Sequence, residues 1–163
     1  MSYSKIIRLL KNIESSMSKA WAVPTWLFLH TLAAHLPEDN YSKLKADVLY
    51  QIKNICAVLP CPDCAQHATE YLAGVNLGHI PTKDALKTVL WRFHNMVNLQ
   101  TKKNIYPLTS LDIYDRSNLR VMYTIFLIEF TRPIRNPKLM IDVLGRERII
   151  TNFKSWMKQV FGF

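Results

Sequence analysis

Apolar residues recur at helical spacing along most of this chain, and this constrains its fold more than any other feature. In successive segments they return every three or four residues, which is the period of a helix with one buried face. No segment shows the alternation of apolar and polar residues that is typical of a strand. The sequence therefore predicts an all-α fold, a bundle of four or five helices with an additional helical segment at its C-terminal side.

Prolines, a glycine and a capping threonine predict where the helices begin and end. The helices predicted in the first part of the chain cover residues 4–17, 24–36, 42–58, 61–74 and 82–98. Residues 119–130 are predicted to form a fully buried helix, residues 131–137 a connector, and residues 139–161 one or two amphipathic helices. We therefore expect a helical bundle at residues 1–106 and an extension of unassigned role at residues 107–163.

Composition and charge exclude several classes of protein. A chain of 163 residues is long enough for one domain with a sizeable core. Its net charge is +9, but the basic residues are scattered, so nucleic-acid binding is not expected as the main role. The longest apolar run, residues 121–128, is far shorter than the roughly 20 residues of a membrane span. Three cysteines are too few for a secreted scaffold held together by disulfides.

Cys61 and Cys64 form a C-x-x-C pair flanked by Pro60 and interrupted by Pro62. Pro60 ends one predicted helix and Pro62 suits the first turn of the next, which places Cys61 at or just before a helix N-terminus. The helix dipole and the free backbone N–H groups there stabilise a thiolate. The pair is therefore expected to form a reversible disulfide, and redox chemistry is the usual use of this spacing in an intracellular chain.

A zinc site is one alternative for this pair. Zinc needs two more ligands, for which Cys56 and His67 are available, but the chain has no second C-x-x-C or H-x-x-x-H pair. Covalent haem attachment needs a histidine directly after the second cysteine, where Ala65 stands. A thioredoxin-like oxidoreductase needs strands around the pair, and these surroundings are predicted to be helical. Cys56 is expected to be a buried structural thiol.

Two other segments carry histidines in apolar surroundings. His94 and Asn98 lie four residues apart on one predicted helix, with Asn95 beside them, and Trp26 and His30 have the same spacing on another. Buried polar groups need partners, so these residues could form a satisfied polar core. The alternative is a planar, polar ligand that lies on this face.

Together these motifs resemble the Erv/ALR family of FAD-dependent sulfhydryl oxidases. The family pattern is W-G-x-x-x-W-x-x-L-H-x-x-A, then P-C-x-x-C, then H-N-x-V-N, then a lysine and an aromatic residue. The matching residues here are Trp21, Trp26, Leu29, His30, Ala33, Pro60, Cys61, Cys64, His94, Asn95, Val97, Asn98, Lys103 and Tyr106. Ala22 replaces the glycine of the first motif. The stretch around the cysteines, which includes His67, most resembles versions from large DNA viruses.

The resemblance implies a helical bundle that holds FAD noncovalently, usually as a homodimer, with no metal. It implies that Cys61 exchanges with a dithiol substrate and that Cys64 lies nearest the flavin. Electrons would pass from the dithiol through the disulfide to flavin and then to molecular oxygen, giving hydrogen peroxide. The residues implied to bind FAD are Trp21, Trp26, His30, His67, His94, Asn95, Val97, Asn98, Lys103 and Tyr106.

Partners and location are further expectations. The sequence has no second cysteine pair that could act as a shuttle, so a separate small dithiol protein is the expected partner. The viral resemblance implies a virus-encoded protein in the host cytoplasm or the virion. The mitochondrial intermembrane space is the less favoured location. The alternative function is a zinc-stabilised helical adaptor or basic nucleic-acid-binding module that uses Cys61, Cys64 and His67 as ligands.

Overall fold

The structure is a computed structural model that describes residues 19–133 and 143–163. Within these ranges the regular elements are all helical, which confirms the all-α prediction. The α-helices are α1 (Ala22–His35), α2 (Tyr41–Ala57), α3 (Pro62–Ala73), α4 (Lys83–Gln100), α5 (Asp112–Asp115), α6 (Leu119–Phe130) and α7 (Val143–Phe161). Short 3-10 helices lie at Glu38–Asn40, Leu77–His79 and Leu108–Leu111. The helix predicted at residues 4–17, the end of the connector and residues 139–142 lie outside the described residues.

The ends of several helices follow local sequence signals. The side chain of Thr82 accepts a hydrogen bond from the Ala85 N–H at 3.1 Å, which confirms the predicted cap of α4. Asn118 caps α6 in the same way, with its Oδ1 atom 3.1 Å from the Val121 nitrogen. Pro24 lies in the first turn of α1, as predicted. These caps satisfy N–H groups that helix geometry leaves without a partner.

Helix α1 lies at the centre of the core. It packs between α6 on one side and α4 on the other, and every residue from 28 to 34 is buried. The Phe28 ring stacks on Phe126 of α6 with their centroids 4.6 Å apart, and meets Phe153 of α7 edge-on at 5.8 Å. Side chains on both sides of the boundary predicted at residue 106 therefore share one core. The division into two domains stays a prediction.

Helix α6 is only half-buried, so the prediction of a fully buried helix at residues 119–130 is wrong. Its bounds are as predicted, and Tyr123 and Phe126 face the core. The other face leaves three apolar side chains exposed, Val121, Ile125 and Ile128, at 47%, 41% and 56%. The sequence pattern missed this because Thr124 is the only polar residue between positions 121 and 128. In the described part of the chain, no helix combines the length and apolarity that a membrane crossing requires.

Candidate active site

Cys61 and Cys64 are joined by a disulfide at the start of α3. Cys61 is the N-cap residue, and its sulfur accepts a hydrogen bond from the Cys64 N–H at 3.3 Å. Both cysteines are half-buried, and Pro62 occupies the first turn. The predicted position at the helix N-terminus is therefore confirmed. In the reduced pair, this N–H and the helix dipole favour a thiolate at Cys61.

The third cysteine, Cys56, is buried near the end of α2 and has a free thiol. Burial raises its pKa to about 12, so it is protonated at neutral pH. A protonated, inaccessible thiol is a poor nucleophile. The expectation that this thiol is buried is confirmed, and its structural role stays a prediction.

Trp26 and His30 of α1 meet His94 of α4 in a cluster of three stacked rings. The Trp26 and His94 rings are 4.1 Å apart and within 6° of parallel. The His30 ring lies 5.9 Å from Trp26 and 5.2 Å from His94. His30 Nε2 and His94 Nδ1 are hydrogen-bonded at 3.0 Å. Two of the residue sets that the sequence indicated separately are therefore in direct contact.

Both histidines of this cluster are neutral at pH 7. Burial, with a smaller effect of His94, lowers the pKa of His30 to about 3. Burial and the charge of Lys103 lower the pKa of His94 to about 4. The ammonium group of Lys103 therefore acts on the cluster electrostatically, although Lys103 itself is exposed. The bond between the two imidazoles joins neutral rings, one of which donates.

Two buried polar atoms of the same region have no hydrogen-bond partner among the described residues. They are His30 Nδ1 and Asn98 Nδ2, on residues that are 3% and 4% exposed. Leaving such an atom unsatisfied costs about 1–3 kcal/mol. A flat ligand that offers hydrogen-bonding atoms to them, and an anionic group to Lys103, fits this arrangement. A wholly apolar ligand does not.

Asn95 is bonded to the chain itself. Its Oδ1 accepts a hydrogen bond from the Tyr106 N–H and its Nδ2 donates to the Tyr106 carbonyl, both at 2.9 Å. Trp91 Nε1 donates to the same carbonyl at 2.9 Å. These bonds hold the loop so that the Tyr106 ring lies 5.8 Å from His94. Asn95 therefore places an aromatic residue at the edge of the cluster.

A series of ring contacts connects the cluster to α3. Trp26 meets Phe93 edge-on at 5.1 Å, and Phe93 stacks on Tyr71 at 4.7 Å. Tyr71 follows Cys64 by seven residues on α3, or about two helical turns. Both residues therefore lie on the same face of α3. This face belongs to the side of α3 on which the Tyr71 ring contacts Phe93 of α4.

Three more of the residues implied to bind a cofactor are Trp21 at the start of α1, Val97 on α4 and His67 on α3. Trp21 is buried at the N-cap of α1, where its carbonyl accepts a hydrogen bond from Thr25 Oγ1 at 2.7 Å. Val97 is half-buried on α4. His67 is exposed on α3. A role for these three in binding stays a prediction.

Tyr114 was not predicted as a site residue, and its ring stacks on His30 with centroids 4.8 Å apart. Tyr114 belongs to α5, which has four residues and so carries no periodic pattern. Phe93 is buried on α4, and its contact with Trp26 was likewise not anticipated. Tyr71 had a detectable signal, since it follows Cys64 at helical spacing.

The described part of the chain offers no group of three His, Cys, Asp or Glu side chains that could hold a metal ion. In particular, Cys61 and Cys64 are bonded to each other and His67 is exposed. The alternative of a zinc-stabilised adaptor is therefore not favoured.

Comparison with known proteins gives one matching family and several relatives. Residues 23–117 match the model of the Erv1 / Alr family. The chain is 34% identical over 88 residues to FAD-linked sulfhydryl oxidase ERV1 of Arabidopsis thaliana, covering 54% of this chain and 46% of that protein. It is 31% identical over 83 residues to the protein of the same name from Oryza sativa subsp. japonica, covering 51% of this chain and 42% of that protein.

A viral relative is also similar. It is the FAD-linked sulfhydryl oxidase of African swine fever virus (isolate Pig/Kenya/KEN-50/1950), which is 29% identical over 103 residues. This match covers 63% of the present chain and 86% of the viral protein. The chain spans less than half the length of the two plant relatives. No solved structure matches it.

Proposed function

The chain belongs to the Erv1 / Alr family, and we propose that it is an FAD-linked thiol oxidase that forms disulfide bonds in substrate proteins. One observation carries the proposal. The Cys61–Cys64 disulfide begins α3, and the face of α3 that bears Cys64 is connected through Tyr71 and Phe93 to the cluster around Trp26. The names of the plant and viral relatives support the same activity.

The residues of the cluster suit FAD. Trp26 and His94 offer flat ring surfaces, and His30 Nδ1 and Asn98 Nδ2 are the buried atoms that lack partners. The ammonium group of Lys103 suits a phosphate. When bound, FAD would accept the electron pair from the reduced cysteines and transfer it to molecular oxygen, giving hydrogen peroxide.

The cysteines carry the thiol exchange. A substrate thiolate attacks Cys61 Sγ, which forms a mixed disulfide and breaks the Cys61–Cys64 bond, so that Cys64 leaves as a thiolate. The second substrate thiolate attacks the substrate sulfur of the mixed disulfide and releases Cys61. The substrate is then a disulfide, and the pair holds two electrons. Overall, one dithiol and one oxygen molecule give one disulfide and one hydrogen peroxide.

The N-terminus of α3 assists this exchange at Cys61. The Cys64 N–H that contacts Cys61 Sγ at 3.3 Å can stabilise the negative charge on Cys61 when it is released. The helix dipole acts in the same direction. This contact assists the second step, in which Cys61 is the leaving thiolate, because a more stable thiolate leaves faster. Cys64 lies on the face of α3 that bears Tyr71.

Substrate, assembly and location are part of the proposal. The proposed substrate is a dithiol protein, in particular a small separate shuttle protein that exchanges with the Cys61–Cys64 disulfide. A homodimer is proposed from the family resemblance. The viral relative supports the proposal of a virus-encoded protein. Its proposed location is the host cytoplasm or virion, with the mitochondrial intermembrane space as the alternative.

Oxygen uptake with dithiothreitol tests the proposed activity. The wild-type protein should contain FAD and produce one hydrogen peroxide for each oxygen consumed. Cys64→Ser should keep the flavin and lose dithiol-dependent uptake at least a hundredfold, because no disulfide can form. Cys56→Ala is the matched control and should retain activity. Uptake by Cys64→Ser at the wild-type rate, or a protein that binds no FAD, would contradict the proposal.

A further inference from the structure

Arg146, in the first turn of α7, contacts the ends of two other helices. Its Nε donates a hydrogen bond to the Val58 carbonyl at 3.1 Å, and its Nη2 donates to the Phe130 carbonyl. Its guanidinium carbon lies 4.9 Å from the centre of the Phe130 ring. Val58 is the C-cap of α2 and Phe130 is the last residue of α6. One half-buried guanidinium group therefore holds two helix C-termini against α7.

The first of these ends leads directly to the redox pair. Val58 precedes Cys61 by three residues, so their Cα atoms are at most about 11 Å apart. Leu59, between them, is buried, which limits the freedom of this short segment. An effect of Arg146 on Val58 can therefore be transmitted to Cys61 through a short and anchored stretch of chain.

Charge gives a second connection. The C-terminal end of a helix carries a partial negative charge of roughly half an electron. Such a charge at the end of α2 disfavours a thiolate on the nearby Cys61. Arg146 is cationic and bonds to the Val58 carbonyl at this end, so it offsets that charge. The distance between Val58 and Cys61 is comparable to the Debye length of about 8–10 Å in physiological salt. Salt therefore screens the electrostatic effect on Cys61 only in part.

We propose that Arg146 is a positioning residue for the Cys61–Cys64 pair, which fixes the segment at residues 58–61 and favours the thiolate of Cys61. The inference rests on the proposed function only in that it treats this pair as redox-active. Because Arg146 lies on α7, the C-terminal extension would then contribute a residue that positions the redox pair. A purely structural role is the competing explanation, in which Arg146 stabilises the fold and leaves the sulfur chemistry unchanged.

The test compares Arg146→Met with Arg148→Met in the full-length protein. Both variants lose one positive charge from α7, but Arg148 is exposed. The equilibrium between dithiol and disulfide is measured in glutathione buffers at pH 7 by alkylation and mass spectrometry. The rate at which iodoacetamide alkylates Cys61 in the reduced protein is measured by peptide mapping. Neither readout needs flavin turnover or oxygen, so a failure here differs from a failure of the oxidase proposal.

The loss of Arg146 should disfavour the reduced pair. In Arg146→Met we expect the equilibrium to move about threefold toward the disulfide, equivalent to a reduction potential about 14 mV lower. Alkylation of Cys61 should slow by a similar factor. Arg148→Met should match the wild type in both readouts. If Arg146→Met does not fold, Arg146→Gln, which keeps donors but loses the charge, must show the same shift.

Two results would overturn the proposal. In the first, the Arg146 variant melts at a lower temperature but keeps the wild-type equilibrium and alkylation rate, which would leave it a purely structural role. In the second, Arg148→Met shifts both readouts as much as Arg146→Met, which would make the effect one of general surface charge.

Discussion

The neutral, buried His30 should make the fold sensitive to mild acid. The pKa of a histidine is 6.5 in the unfolded chain, and in the native protein burial lowers that of His30 to about 3. Below pH 6.5 the unfolded state therefore binds a proton that the native state does not. The stability contributed by the neutral imidazole is fully present above pH 6.5 and is lost progressively as the pH falls toward 3.

The size of the effect follows from this difference. One group that binds a proton only in the unfolded state costs about 1.4 kcal/mol of stability for each pH unit. Between pH 6.5 and 4.5, His30 should therefore cost roughly 2–3 kcal/mol, a large part of the 5–15 kcal/mol typical of a folded domain. The pKa of His94 is also lowered, to about 4, so it acts in the same direction. Because His94 is partly exposed, its contribution to the loss of stability is smaller than that of His30.

Urea unfolding of the flavin-free protein from pH 7 to 4.5 measures this loss. Flavin is left out because a bound ligand would add its own pH dependence. In His30→Gln, the loss on acidification should be smaller by about 2 kcal/mol, because glutamine does not titrate. His67→Gln removes an exposed histidine and is the matched control, which should lose stability as the wild type does. An equal acid dependence in His30→Gln and the wild type would refute the reasoning.

The core and the free thiol give two further predictions. Phe126 is fully buried and packs on Phe28, so Phe126→Ala should lower the free energy of unfolding by about 3–5 kcal/mol in urea. Ile125→Ala, on the exposed face of the same helix, should cost less than about 1 kcal/mol, and equal costs would contradict the described orientation of α6. Because Cys56 is buried and its pKa is about 12, Ellman's reagent at pH 8 should label no thiol in the native oxidised protein. It should label one thiol after unfolding, and fast native labelling would show that Cys56 is accessible.

Local signals in the sequence were enough to predict most helices and part of the site. Pro62 and the C-x-x-C spacing predicted Cys61 at the start of α3, and Thr82 predicted the cap of α4, because these are interactions within one turn of chain. The spacing of His94 and Asn98 predicted that both lie on one helix face. Such signals depend only on the spacing of residues within one helix, and this spacing can be read from the sequence.

Contacts between distant segments could not be predicted. The pairing of Asn95 with the backbone of Tyr106 depends on the path of a loop, and the stacking of Tyr114 on His30 depends on where α5 packs. The contact between Arg146 and Val58 joins residues 88 positions apart. No local pattern encodes these distances, since they arise only when the helices are assembled.

Anaerobic reduction by a dithiol, followed through the visible absorbance of the flavin, tests the central claim most directly. The account predicts that the purified wild-type protein has a flavin spectrum and that dithiothreitol bleaches it by two electrons through Cys61 and Cys64. Cys64→Ser should keep the spectrum and resist bleaching. Bleaching of Cys64→Ser at the wild-type rate, or a wild-type protein that stays colourless after reconstitution with FAD, would contradict the account.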